Sequence, residues 1–432
     1  MRTLKILMSA YACEPDKGSE PGVGWRWALE TARLGHEVWV ITRANNADAI
    51  ARTMAHEQSQ NRLLNLHFVY FDLPHWARWW KRGGFGVHLY YVLWQWGAYR
   101  HACAFHEKVG FDAVHHITFG VMRHPSFMGR LGIPFILGPL GGGERASFAA
   151  RRYLSPAAHI REALRDTASW LARLDPWVRQ MYTQASVILM RTQESLAWLP
   201  AKYQHKALCM HEIGVEAVNI SAVGPARNTD KERTLRLLYV GRFIYVKGMH
   251  IGLRAMACLS ARGIPVHLTL IGNGPDEQRW QRLAKRLGVA HCITWVAWMK
   301  QQDLFRAYQT FDALLFPSLH DSGGTVVLES MAGGLPVVCL DLGGPAELVD
   351  GSCGRVVPVE NLRSNEIIKA LADTLAELAA DPELVTRLHA GARQRALEFT
   401  WQRVIAQVWG EHGTGSKAVA EKVLIGEARL AV

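Results

Sequence analysis

The sequence has no apolar run approaching the ~18–20 residues of a membrane-spanning helix, so no segment reads as a span. It has no CxxC pair, and its seven cysteines (Cys13, Cys103, Cys209, Cys258, Cys292, Cys339 and Cys353) are odd in number and scattered. That pattern argues against a disulfide framework and against a zinc site, and it fits reduced thiols in a cytosolic protein. Low-complexity and disorder-type composition are absent. A dinucleotide fingerprint is incomplete: after Gly22 and Gly24 the third glycine position holds Trp27, which makes an NAD site a poor reading. The opening MRTLKILMSAYAC has the outline of a lipoprotein signal ending at Cys13. Its apolar part is short and leads into a glycine-rich segment, so it reads better as a first core strand.

What is present is a core-forming chain of 432 residues, 49% hydrophobic and 20% charged. At roughly 100–200 residues per domain, that length favours two domains. The formal net charge is +11. A basic balance of this size suits nucleic acid, an anionic membrane or a phosphorylated ligand, and by itself does not choose among them.

Short β-rich runs alternate with amphipathic stretches. In the first half the runs are Lys5–Tyr11, Glu37–Arg43, Leu66–Asp72, Ala113–Thr118 and Pro134–Pro139, with helical patterns at Pro21–Leu34 and His88–Lys108. Residues 150–212 read mostly as helices around one strand at Ser186–Arg191. The rhythm restarts with Leu235–Gly241, His267–Gly272, Ile293–Trp298, Ala313–Pro317, Pro336–Leu340 and Arg355–Pro358. Such alternation implies parallel sheets covered by helices. The predicted organisation is an N-terminal α/β domain over 1–222, a polar linker over 223–233, a C-terminal α/β domain over 234–396, a helix over 397–412 and a tail over 413–432. Open parallel sheets bind ligands beyond the carboxyl ends of their strands, so the chemistry is sought in post-strand loops.

Three such loops stand out in the second half. Gly241-Arg242-Phe243-Ile244-Tyr245-Val246-Lys247-Gly248 places two cations between glycines after a strand and before a helix. Glycine lets backbone approach phosphate oxygens, arginine offers a planar bidentate donor, and a helix N-terminus adds partial positive charge. In Pro317–Gly334, Asp321, Ser322, Gly323 and Gly324 read as a loop and helix start, with Glu329 a turn or so inside. Free N–H groups near Gly323–Thr325 suit a phosphate oxygen, and Glu329 suits a ribose diol. Taken singly, Asp321 reads as a helix cap and Glu329 as a surface charge; their joint placement in one post-strand loop favours a site. Ile271-Gly272-Asn273-Gly274-Pro275 is a tight turn that either borders a nucleotide or only turns the chain.

In the first half, Gly18-Ser19-Glu20-Pro21-Gly22-Val23-Gly24 follows the first strand, and Gly22 and Gly24 permit close backbone approach at a cleft. His115 and His116 end another strand pointing to the same presumed cleft, and Gly138-Pro139-Leu140-Gly141-Gly142-Gly143-Glu144 follows the next. One region is aromatic and basic: Trp76, Arg78, Trp79, Trp80, Lys81, Arg82, Phe85, Tyr90, Tyr91, Trp94, Trp96 and Tyr99. That composition suits an anionic membrane surface, with buried packing as the plain alternative. No nucleic-acid-binding motif accompanies it, so no nucleic-acid partner is expected.

Together GRFIYVKG, IGNGP and PSLHDSGGTVVLESMAGGLPVV, with SAYACEPDKGSEPGVGW, HHITFG and PFILGPLGGGE, resemble the family 4 glycosyltransferases, in a bacterial polysaccharide-related branch. The resemblance runs across nearly the whole chain. It implies the GT-B fold, two Rossmann-like domains facing across a cleft, with the helix around Phe399–Trp409 crossing back to the N-terminal domain. It implies a retaining transferase that uses a UDP- or GDP-linked sugar as co-substrate, with no other cofactor and no metal. Arg242 and Lys247, with Gly323, Gly324 and Thr325, then correspond to the donor diphosphate site. Glu329, Gly272, Asn273, Gly274 and Trp298 correspond to the nucleoside site. Asp321 and either His115 or His116 lie near the reaction centre. The family commonly carries two glutamates eight positions apart; here the first is Asp321, one methylene shorter, and the usual Gly-Phe-Gly after it is replaced by Ser322-Gly323-Gly324.

The leading expectation is transfer to a lipid-linked glycan acceptor by a peripheral protein on the cytoplasmic face of the cell membrane, in exopolysaccharide or cell-surface glycan synthesis. A soluble acceptor, a non-catalytic protein that binds sugar nucleotide, and a sugar-nucleotide epimerase are the alternatives.

Overall fold

In a computed structural model of the chain, residues 3–74, 76, 86–217, 220 and 234–410 are described. The predicted linker and tail, and Arg78, Trp79, Trp80, Lys81, Arg82 and Phe85, lie outside them.

The described strands are β1 (Lys5–Ser9), β2 (Glu37–Thr42), β3 (Leu66–Tyr70), β4 (Ala113–His116), β5 (Phe135–Leu140), β6 (Val187–Met190), β7 (Ala207–Cys209), β8 (Leu235–Val240), β9 (Val266–Ile271), β10 (Ile293–Val296), β11 (Ala313–Phe316), β12 (Val337–Leu340) and β13 (Gly354–Val357). They form two sheets, in the orders β3-β2-β1-β4-β5-β6-β7 and β10-β9-β8-β11-β12-β13. Every pairing within them is parallel. All but β7 were expected from the apolar runs. β7 is three residues at a sheet edge, too short to show a pattern.

Both sheets have the same switch point. From β1 the chain runs outward through β2 and β3, then returns to lay β4 on the other side of β1; β8, β9, β10 and β11 repeat the manoeuvre. The loops after the two central strands therefore diverge, leaving a crevice beyond their carboxyl ends. In the second sheet those loops are the ones after β8 and β11.

The chain divides into two compact units. The first holds the described residues up to Gly143, Arg165–Ile213 and those from Trp401 onward; the second holds Glu144–Leu164 and Gly214–Thr400. The division departs from the expected boundaries at 144–164, which belongs to the second unit. Hydrogen bonds explain why: Ser364 Oγ donates to Ala149 O at 2.7 Å, Tyr153 Oη to Asn365 Oδ1 at 2.6 Å, and Arg279 Nη2 to Tyr153 O at 3.0 Å. We call this segment the strap. Polar contacts to distant residues carry no periodic signal in a sequence.

In the first unit the C-terminal helix Trp401–Trp409 packs on the helix Ser19–Arg33. It buries Trp401, Val404, Ile405, Val408 and Trp409, the i, i+3, i+4, i+7, i+8 face of an amphipathic helix. At about 1.5–3 kcal/mol for each large apolar side chain removed from water, this face holds the helix in place. The indole N–H of Trp27, fully buried, donates to Glu212 O at 2.9 Å. Among the described residues no helix is long and apolar enough to cross a membrane.

Candidate donor site

Four loops beyond the second sheet are stitched into one surface. Gly241 N–H donates to Ile271 O at 3.0 Å, and Phe243 N–H to Asn273 O at 2.8 Å. Leu319 N–H donates to Val246 O at 2.8 Å, and Gly344 N–H to Asp321 O at 2.8 Å. The approach is closest at Gly248 (φ +65°), where a Cβ would stand 1.8 Å from Pro317 O, and at Gly272 (φ +137°), where it would stand 2.1 Å from Gly241 O. Neither position tolerates a side chain, and a left-handed backbone excludes most other residues. These glycines thus bring protein backbone to protein backbone. Gly274 does the same against Phe243 O.

On this surface the two predicted cations differ sharply. Arg242 is exposed, its carbonyl is held by the Tyr239 hydroxyl at 3.0 Å, and its guanidinium has no partner among the described residues. Lys247 is half-buried and its Nζ is paired with Asp321 Oδ2. The ammonium also lies 5.0 Å from the centre of the Phe316 ring. The other oxygen of Asp321 accepts from Gly323 N at 3.2 Å and Gly324 N at 3.0 Å. Burial favours the neutral carboxyl, but the Lys247 charge and these N–H donors outweigh it and hold Asp321 below the ordinary carboxylate range.

This revises one expectation. The N–H groups of Gly323 and Gly324 are engaged by Asp321 rather than open to a phosphate. A short carboxylate three residues back has the reach to satisfy the start of the following helix. Thr325 begins that helix, Thr325–Ala332, and Glu329 lies on its second turn. Burial pushes the Glu329 carboxyl up to about 7, and no side chain pairs with it among the described residues. Asn273 and Trp298 are exposed, Trp298 at 70%.

The strap adds residues that the motif reading missed. Glu162, only 1% exposed, accepts from Tyr245 Oη at 3.0 Å, stands 3.0 Å from His320 Nε2 and lies 3.4 Å from Arg151. Its carboxylate therefore joins the loop after β8 to the loop after β11. Burial opposes ionisation, but the His320 hydrogen bond and charge, Arg151 and the Tyr245 hydroxyl together hold Glu162 at about 2. Tyr245 and His320 sit inside the quoted motifs, whereas Glu162 lies on the helix Pro156–Ala172 with no local signal.

In the first unit, Gly22 and Gly24 fall within the helix Ser19–Arg33, not in a loop. A Cβ on Gly22 would stand 2.0 Å from Lys17 O, and one on Gly24 2.1 Å from Ala12 O. The close approach they permit is to the protein's own backbone. His115 and His116, adjacent on β4, are both buried but differ in their nitrogens. Trp409 Nε1 donates to His115 Nδ1 at 3.3 Å, so the proton sits on Nε2, which faces Gly138 O at 2.8 Å. His116 Nε2 lies 3.1 Å from Tyr91 Oη, and its Nδ1 has no partner among the described residues. Burial lowers His115 to about 4 and His116 to about 3, so both rings are neutral. Tyr90, Tyr91 and Trp94 of the aromatic-basic region are core residues rather than a surface patch. Trp76, Leu89, Leu93 and Trp96 are exposed. Among the described residues no group of three His, Cys, Asp or Glu side chains is arranged to hold a metal ion.

Residues 225–395 match the family model described as "Glycosyl transferases group 1". The matched residues hold all six strands of the second sheet. The chain is also 27% identical over 250 residues to the D-inositol 3-phosphate glycosyltransferase of Corynebacterium urealyticum, a match that covers 53% of this chain and 57% of that protein. The chain thus spans little more than half the length of that curated relative. Two solved structures have the same fold along most of the chain. The sucrose-phosphate synthase of Thermosynechococcus elongatus superposes with a TM-score of 0.60 at 19% identity, covering 94% of this chain and 97% of that one. Anabaena Alr3699/HepE, in complex with UDP and glucose, superposes with a TM-score of 0.56 at 16% identity, covering 94% and 98%. The chain thus has a GT-B fold built on two Rossmann-like sheets.

Proposed function

We propose that this protein is a retaining glycosyltransferase that moves a sugar from a UDP- or GDP-linked donor to a glycan acceptor without a metal ion. The observation that carries the reading is the exposed Arg242 guanidinium, without a partner among the described residues, on the same switch-point loop as Lys247 of the Lys247–Asp321 pair. In transfer, the bond between the sugar's anomeric carbon and the diphosphate oxygen breaks. A bond to the acceptor oxygen forms on the same face, and the acceptor proton passes to the leaving diphosphate. Negative charge builds on that diphosphate, and fixed cations stabilise it without reorganisation. Arg242 supplies a bidentate donor, and Lys247 shares its charge between Asp321 and the incoming phosphate. Asp321 holds the glycine turn in shape and offers a carboxylate to a donor-sugar hydroxyl. Glu329, neutral or ionised near pH 7, accepts from the ribose diol.

A lipid-linked acceptor at the cytoplasmic membrane face is the second part of the proposal. It is supported by one face of the helix Val87–Val109, where Leu89, Leu93, Trp96 and Arg100 are all exposed. Apolar and aromatic residues flanked by cations suit the headgroup boundary of an anionic bilayer. Arg130 lies 5.2 Å from the centre of the Trp96 ring, adding charge to the same patch.

The donor reading is tested by calorimetry against UDP, GDP, ADP and their sugar conjugates in EDTA, with Arg242→Ala and Glu329→Ala alongside. Saturable binding of one nucleotide, lost in both variants, supports it. Folded protein that binds none of them overturns it.

A further inference from the structure

Behind the diphosphate loop, the second unit contains a cavity of about 230 Å³ that the donor chemistry does not use. It lies between the helices Met249–Ala261 and Glu277–Arg286, and the strap closes one side with Tyr153 and Leu154. Its charged lining is one-sided: Arg254, Arg279 and Arg286 against Asp276. Asp276 lies 3.9 Å from Arg279, and no carboxylate pairs with Arg254 or Arg286 among the described residues.

Two of the three guanidinium groups are held in place. Arg254 stacks 4.1 Å from the centre of the Tyr153 ring and donates to His250 O at 2.9 Å. Arg279 donates to Tyr153 O at 3.0 Å. His250, buried, turns its Nε2 to Ala150 O at 3.4 Å. Burial together with the like charges of Arg286 and Arg279 lowers the Arg254 pKa, a mutual repulsion that a bound anion would offset. Planar forks fixed by stacking and backbone bonds suit the oxygens of a phosphate group. The volume is below the roughly 300–1,000 Å³ typical of drug-sized ligands, which limits the occupant to a small molecule. Trp280 and Leu283 give it an apolar floor.

We propose that this cavity is a second anion site, distinct from the donor site, that binds a small phosphate-bearing molecule through Arg254, Arg279 and Arg286. Tyr245 lines the cavity and also bonds Glu162, so an occupant would touch the loop that carries Arg242 and Lys247.

The test titrates inorganic phosphate and pyrophosphate into the full-length protein, followed by calorimetry and phosphorus NMR. Arg242→Gln disables the donor site, and Arg286→Gln, at an exposed position, disables the cavity without disturbing packing. In the Arg242→Gln background, phosphate binding should persist and weaken roughly ten-fold or more when Arg286→Gln is added. Arg254→Gln should give the same loss. Phosphate binding that vanishes with Arg242→Gln alone overturns the proposal, as does binding that ignores both cavity variants. Co-sedimentation with phosphatidylglycerol vesicles separates the source of the phosphate: loss with Arg286→Gln assigns a lipid headgroup to the site, and unchanged sedimentation alongside lost phosphate binding assigns a dissolved ligand.

Discussion

His320 Nε2 stands 3.0 Å from Glu162 Oε1, across 158 residues of sequence. That contact ties the strap to the residue preceding Asp321. Removing one partner of a buried, hydrogen-bonded ion pair commonly costs about 3–5 kcal/mol. Glu162→Ala should therefore lower stability by about that amount, and Glu162→Gln, which keeps an acceptor for Tyr245, by less. Both should weaken nucleotide binding, because the loops bearing Lys247 and Asp321 lose their common anchor. Urea unfolding and calorimetry on the two variants check this; unchanged nucleotide affinity in a destabilised Glu162→Ala would confine the residue to a structural role. Since the folded carboxyl titrates at about 2, below its ordinary 4.5, its contribution is complete above about pH 5 and is lost as pH falls towards 2.

Glu329 should give the opposite pH dependence. Its folded carboxyl keeps a proton to about pH 7, whereas the unfolded one releases it near 4.5. Between those values the folded state binds more protons, so stability falls as pH rises through the window and levels off above 7. The full effect is on the order of 3 kcal/mol. Glu329→Gln should abolish it, and the difference between wild-type and variant unfolding free energies at pH 5 and pH 8 measures it directly. A donor hydroxyl favours the carboxylate, so nucleotide affinity should also rise from pH 6 to pH 8 in the wild type and stay flat in the variant.

Much of this was legible in sequence because it is local. Short apolar, β-rich runs marked twelve of the thirteen described strands. The loops with Arg242, Lys247 and Asp321, and the helix with Glu329, were legible as post-strand segments because glycine, proline and charged residues interrupt the apolar runs there. The strap was not, since Glu162 and Tyr153 act through contacts with residues 80 or more positions away. Nor were the roles of Gly22, Gly24, Gly272 and Gly274. A glycine permits close approach, and only the fold says whether the neighbour is a ligand or the chain itself.

Arg242→Ala separates binding from folding. The side chain is exposed and has no partner among the described residues, so its loss should change stability by no more than about 0.5 kcal/mol. A hydrogen bond to a charged group contributes about 1.5–3 kcal/mol, so nucleoside diphosphate affinity should fall roughly 10- to 100-fold. Nucleoside monophosphate or free nucleoside should be affected far less. Calorimetry across the three ligands reads the pattern, and a uniform loss across all of them would point away from a diphosphate contact.

Asp321→Asn dissects a residue that acts on both charge and shape. Asparagine keeps an acceptor for Gly323 and Gly324 but cancels the charge paired with Lys247. The freed ammonium should hold a nucleoside diphosphate as tightly as in the wild type or more so. Transfer should nevertheless fall about 100-fold if the carboxylate also positions the donor sugar. Asp321→Ala should lose both, because the glycine turn loses its acceptor. Weaker diphosphate binding in Asp321→Asn would show that the pair orients Lys247 rather than restraining it.

The two histidines of β4 should respond differently to alanine. His115 fills both nitrogens with protein, bridging Gly138 on β5 and Trp409 on the C-terminal helix. His115→Ala should cost about 2–4 kcal/mol from the cavity and the two stranded partners, and it should expose amides of Trp401–Trp409 to hydrogen exchange. His116 Nδ1, at the carboxyl end of a strand beside the first sheet's switch point, has no partner among the described residues. If that nitrogen meets substrate, His116→Ala should reduce kcat about 100-fold or more with little change in donor KM. The ring is neutral across the working range, because its pKa is about 3, so this loss should not vary between pH 6 and pH 8. A His116→Ala enzyme with normal kcat would move the reaction centre away from β4, and a His115→Ala enzyme of normal stability would mean that the C-terminal helix is held by its apolar face alone.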